Sequence, residues 1–161
     1  MTARFELHQV YEHPAQQVFE LLNDPPFLER KALDFGATDA KVTRTTRADG
    51  MLIVTIDVWE PAHFPPGNKN PSRRTMTLET DTKTRRSRWT QIVHGMEDRS
   101  TAAGDSEVVE LGPNRCELIT RGSIEIRVPI MGKVIEKKIV QGVENNAEKE
   151  RRYVAAALAT R

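Results

Sequence analysis

The sequence predicts an α+β fold: a curved antiparallel sheet of about seven strands, two short helices near the N-terminus, and one long C-terminal helix over the concave face. Three observations carry this. Two-residue alternation of apolar and polar side chains recurs from Arg4 to Val128, no proline interrupts the chain from Ile130 to Thr160, and strands and helices come in runs rather than in βα alternation.

Phe5, Leu7, Gln9 and Tyr11 alternate with Arg4, Glu6 and His8, the period of a half-buried first strand over Arg4 to Glu12. His13-Pro14 opens a helix, because proline at the first helical position has no amide hydrogen to lose. Val18, Leu21 and Leu22 form its buried stripe, and Asp24-Pro25-Pro26 stops it. Phe27 to Phe35 reads as a second short helix, closed by Gly36 in the left-handed conformation.

Strands follow. Ala40, Val42 and Thr46 alternate with Lys41, Thr43 and Arg47, Ala48-Asp49-Gly50 turns the chain, and Leu52, Val54, Ile56 and Val58 give the returning strand a strongly apolar face. Pro61 to Pro71 holds four prolines and one glycine and reads as a loop over one end of the sheet. Further strands are expected over Arg73 to Thr80, Arg85 to His94 and Arg99 to Leu111, the last interrupted near Ala103-Gly104-Asp105. After the turn Gly112-Pro113-Asn114, residues Cys116, Leu118, Thr120, Gly122, Ile124, Ile126 and Val128 share one strand face. A helix of roughly 30 residues beyond Pro129 is about 45 Å long, enough to cross the sheet. Its periodicity places Met131, Ile135, Ile139, Gly142, Val143, Asn146, Glu150, Tyr153, Val154 and Ala157 on one inward face.

The 161 residues suit one domain over 1–161, with 38% hydrophobic and 29% charged residues and a formal net charge of +1. That charge gives no reason to expect nucleic acid. Cys116, the only cysteine, excludes an internal disulfide and makes no metal cluster with His8, His13, His63 and His94, so no metal or cofactor is expected. With no signal peptide visible at Met1-Thr2-Ala3-Arg4 and no apolar run of about 18 residues, a cytoplasmic protein without integral membrane association is expected. Oligomeric state is left open.

The stretch Tyr11-Glu12-His13-Pro14-Ala15-Gln16-Gln17-Val18-Phe19-Glu20-Leu21-Leu22-Asn23-Asp24-Pro25 resembles the opening of the START-like (SRPBCC) superfamily, which includes polyketide cyclases, Bet v 1-like allergens and lipid-transfer domains. Val128-Pro129-Ile130-Met131-Gly132-Lys133-Val134-Ile135-Glu136-Lys137 is similar to an uncharacterised bacterial branch of it. Pro61 to Glu110 departs from the superfamily pattern. The resemblance implies a helix-grip fold with a cavity between the long helix and the sheet that holds a hydrophobic compound. Neither stretch is a catalytic signature.

The chain lacks Gly-x-Ser-x-Gly, phosphate-loop, His-Glu-x-x-His and Cys-x-x-Cys motifs, so no catalytic residue is assigned. The arginines Arg73, Arg74, Arg85, Arg86 and Arg88, with Trp89 beside them, read either as an anion-binding patch or as a solvated strand face. The expected ligand-contacting residues are Ile56, Val58, Trp89, Thr120, Ile124, Ile135, Ile139, Gly142, Asn146 and Glu150. Gly142 implies close sheet approach or room for a ligand. Glu150 pairs with Arg88 or Arg44, sits at a wet cavity mouth, or overhangs the sheet. Three functions stay open: binding of a small hydrophobic or amphipathic ligand such as a lipid or polyketide, a cyclase, aromatase or hydratase-type enzyme in the same cavity, and an interaction module without a ligand.

Overall fold

The computed structural model describes residues 2–61 and 70–161, so most of the proline-rich loop, with His63, lies outside the described residues. The elements are β1 (Ala3–Tyr11), α1 (Ala15–Leu22), α2 (Pro25–Asp34), β2 (Asp39–Thr46), β3 (Leu52–Pro61), β4 (Pro71–Asp81), β5 (Arg86–Val93), β6 (Ser100–Gly112), β7 (Arg115–Ile126) and α3 (Gly132–Ala159). Seven strands form one sheet in the order β1-β7-β6-β5-β4-β3-β2, antiparallel throughout. Strands β2 to β7 lie side by side in chain order, and β1 closes on β7 at the far edge. The α1–α2 pair therefore carries the chain from one edge of the sheet to the other.

Register assigns the faces. Gln9 Nε2 donates to the Ala147 carbonyl of α3 at 2.8 Å, so the side chains level with Gln9 face the helix. On that concave face Phe5 pairs with Gly122, Gly122 with Gly104, Gly104 with Trp89, Trp89 with Leu78 and Leu78 with Val54. The dense core lies at one end, where Tyr11, Val18, Phe19, Leu21, Phe27, Val108 and Cys116 meet Val154 and Leu158 of α3. Each such aliphatic contributes about 1.5–3 kcal/mol on burial.

Two expectations are corrected. The strand β6 is continuous through Ala103-Gly104-Asp105, and its irregularity falls at Glu110/Gly112 instead. Gly104 stands opposite Gly122 because the Trp89 indole lies over both: a Cβ on Gly104 would fall 2.8 Å from Trp89 Cζ2, and one on Gly122 would fall 2.6 Å from it. The inward face of α3 is turned by roughly a quarter of a turn from the expected one. It runs through Glu136, Val140, Val143, Ala147, Val154 and Leu158, whereas Met131 is 45% and Ile139 37% exposed and Asn146 is exposed. A Cβ on Gly142 would meet nothing within 4 Å, so that glycine makes no close sheet approach. The reason is that α3 rests on β1 and β7 with one flank and on α2 with another, where Tyr153 meets Phe27 and Phe35. A single apolar period averages the two flanks.

The convex face is a charge lattice. Arg121 reaches Glu6 at 3.1 Å and Asp105 at 3.2 Å, Arg86 reaches Glu107 at 3.2 Å, and Arg73 reaches Asp57 at 3.0 Å. The clustered arginines thus form no single basic patch: Arg86 and Arg88 lie on the convex face, and Arg74 lies on the concave one with Trp89.

The two glycines should respond oppositely to alanine. Gly104→Ala places a Cβ 1.9 Å from the Arg121 carbonyl oxygen and is expected to cost about 1–3 kcal/mol or more. Gly142→Ala is expected to stabilise by about 1 kcal/mol through helix propensity. Urea unfolding of both variants measures the contrast, and destabilisation by Gly142→Ala contradicts the orientation of α3.

Candidate functional site

The helices cover the concave face unevenly. α3 packs on β1 and β7, α1 on β6 and β7, and α2 on β2 and β3, while among the described residues no helix packs along β4 or β5. On these strands the alternation delivers apolar side chains inward, yet Ile56, Met76 and Leu78 stay only half-buried, as do Leu118 and Thr120 across the sheet. Val54, Val58 and Ile124 are nearly closed off, at 1%, 2% and 6% exposed.

Trp89 stands in the middle of this surface. Its ring stacks on Phe5 with centroids 6.3 Å apart, and the glycine pair beneath supplies the space that lets it lie flat. Trp89 is 7% exposed, and its indole Nε1–H has no hydrogen-bond partner among the described residues. An indole nitrogen is a donor only, and leaving it buried and unpaired costs about 1–3 kcal/mol.

Polar groups mark both ends of the face. At one end Arg74 donates from Nε to Glu60 at 2.9 Å and from Nη1 to Gln91 at 3.1 Å. At the other the buried Thr80 and Ser87 hydroxyls share a hydrogen bond at 2.7 Å. On α3, Glu136 is 3% exposed on the sheet-facing side and has no hydrogen bond or ion pair among the described residues. The apolar period of α3 gave no signal for Glu136, and strand parity alone would have marked Met76 and Leu78.

Of the residues expected at the ligand, Ile56, Val58, Trp89, Thr120 and Ile124 share the concave face. Ile135, half-buried, and Ile139 lie on the flank of α3 that further along meets α2; Gly142 and Asn146 point away from the sheet. Glu150 pairs with Lys31 of α2 at 3.7 Å, with its carboxylate side chain 39% exposed. It does not pair with Arg88, which lies on the convex face, nor with Arg44, whose Nη1 donates to the Asn23 carbonyl at 3.2 Å. Among the described residues no group of three or more His, Cys, Asp or Glu side chains is placed to hold a metal ion. No helix among them is long and apolar enough to cross a membrane. Cys116 is fully buried, and burial pushes its thiol up to about 11.

A family model described as a protein of unknown function (DUF2505) matches residues 6–158. No curated protein matches the chain. Solved structures share its fold at low identity. The Zhui aromatase/cyclase from Streptomyces sp. R1128 is 15% identical with a TM-score of 0.67, over 99% of this chain and 94% of that one. Norcoclaurine synthase from Thalictrum flavum is 14% identical with a TM-score of 0.69, over 100% and 88%. Ara h 8.0201 is 8% identical with a TM-score of 0.67, over 100% of both chains. These solved structures share the fold over nearly the whole chain, so the fold expected from the resemblance is borne out.

Cys116 is expected to resist modification. A thiol raised to about 11 holds roughly a hundredfold less thiolate at pH 8 than an ordinary one, before the loss of access is counted. Ellman's reagent should therefore react slowly with the native protein and fast in denaturant. Rapid native reaction contradicts the closed core at β7.

Proposed function

The chain belongs to the DUF2505 family and has the START-like fold, and on that premise we propose that its concave face binds a small, largely apolar molecule that carries a hydrogen-bond acceptor. The observation that carries this reading is Trp89, a buried donor without an acceptor among the described residues, in the middle of a half-covered apolar surface. A dry, close-packed core selects against such a group, because phenylalanine fills similar space without the penalty. A ligand oxygen accepting from Nε1 removes it. Ile56, Thr120 and Ile124 supply the lining, with Arg74, Glu60 and Gln91 as a polar stop at one end. Burial of ligand surface contributes about 25 cal/mol per Å² before ordering costs. An aromatase/cyclase and a norcoclaurine synthase share this fold, which supports a ligand-binding concave face here without fixing the ligand.

A second reading, in which the bound molecule is also transformed, rests on Glu136. Glu136, a residue 3% exposed on the sheet-facing side of α3 with no hydrogen bond or ion pair among the described residues, carries a carboxyl of the kind that serves as a general acid or base. Glu136→Gln keeps the shape and removes the proton transfer: binding retained with turnover lost supports an enzyme.

The test of the binding reading uses a matched pair of probes, fluorenone and fluorene, which differ by a carbonyl. Fluorenone is expected to bind about tenfold more tightly, equivalent to about 1.4 kcal/mol. Trp89→Phe should erase that preference while leaving fluorene binding nearly unchanged. In the unmodified protein the Trp89 indole N–H resonance should move on adding fluorenone and much less on adding fluorene. Equal affinities for the two probes remove the role of Trp89, and failure of both to bind removes the binding reading itself.

A further inference from the structure

We infer that the turn before α3, with the first two turns of that helix, is a docking surface for an anionic lipid membrane. Ile130 is 97% exposed and sits at φ +69. For a β-branched side chain that is an outlier, since its Cβ crowds the following carbonyl. The strain is imposed from both sides. Met131 N donates to the Pro129 carbonyl at 2.7 Å and Gly132 N to the Val128 carbonyl at 2.9 Å. Gly132 lies so close to β7 that a Cβ there would fall 2.4 Å from the Ile126 carbonyl oxygen. The turn is thereby pinned to the end of the sheet with its isoleucine held outward.

Met131 and Val134 extend the apolar tip, at 45% and 46% exposed. Around it stand Lys133, Lys137 and Lys138, all exposed. None of the three has an ion-pair partner among the described residues. The only acid between positions 128 and 143 is Glu136, which is buried. Elsewhere Arg73, Arg86 and Arg121 of the convex face are matched by carboxylates, whereas the three lysines here ring an apolar tip.

Charge complementarity selects the occupant. An apolar tip ringed by lysines fits the boundary between anionic headgroups and acyl chains. A second copy of the chain fits poorly, because a two-fold contact brings the like-charged lysines together. A protein partner generally needs about 800 Å² per side, more than this tip presents. The docking is peripheral and is independent of whether the concave face holds a ligand.

The test is co-sedimentation of the full chain with vesicles of phosphatidylcholine alone and of phosphatidylcholine with phosphatidylglycerol. Binding is expected to the anionic vesicles, falling as salt rises, at roughly fivefold per lysine near the surface. Lys133→Glu combined with Lys137→Glu and Lys138→Glu should abolish it. Ile130→Gly separates docking from stability: glycine accepts φ +69 without strain, so the variant should melt at or above the unmodified temperature yet bind anionic vesicles about tenfold more weakly. Absence of binding to anionic vesicles at low salt overturns the proposal. So does an Ile130→Gly variant that binds as well as the unmodified chain, or a dimer in sedimentation velocity that Ile130→Gly dissociates.

Discussion

The seating of α3 on the β1–β7 edge, held at mid-length by the Gln9 side chain on the Ala147 carbonyl, fixes where every other group can go. A helix of 28 residues laid along one edge leaves the opposite strands of a curved sheet for the two short helices to cover. They reach β2, β3, β6 and β7, and among the described residues no helix packs along β4 or β5. The half-exposed apolar surface is thus a consequence of where one helix rests, and the dense core gathers at the end where all three helices meet Tyr11 and Cys116.

Within that surface the glycine pair and the indole depend on each other. Gly104 and Gly122 face each other in register, and bare backbone in the middle of a sheet is costly unless something packs on it. Trp89 does so and reaches across to Phe5. The same placement leaves the indole N–H without a hydrogen-bond partner among the described residues. A local packing solution therefore creates the one directional polar feature at the centre of an otherwise apolar wall. The fold alone does not choose the ligand, and the relatives of similar architecture are 8–15% identical over most of their length.

Electrostatics divides the molecule in the same way. Charges on the convex face are interleaved across strands, so Arg121 answers Glu6 and Asp105 while Arg86 answers Glu107. Exposed pairs of this kind contribute little each, but they keep the outer face free of a single-sign field. Glu136 near the base of α3 and the lysines at its start have no such pairing among the described residues.

The sequence by itself determined the element order, the strand faces and the identity of the apolar wall. These rest on a period of two and on turn residues, which act over a few neighbours, so Ile56, Val58, Trp89, Thr120 and Ile124 were legible as one face before any pairing was known. Only the tertiary structure decided the rotation of α3. Ile135, Ile139, Gly142 and Asn146 follow the apolar period as well as Glu136, Val140 and Val143 follow the sheet, because a helix between a sheet edge and α2 has two apolar flanks and periodicity reports their average. The same limit hid the Glu150–Lys31 pair, the glycine seat under Trp89 and the outward Ile130. Each of them depends on contacts or backbone geometry set by residues far apart in the chain, or by close approach of a turn to a strand end, and neither leaves a periodic trace in the sequence.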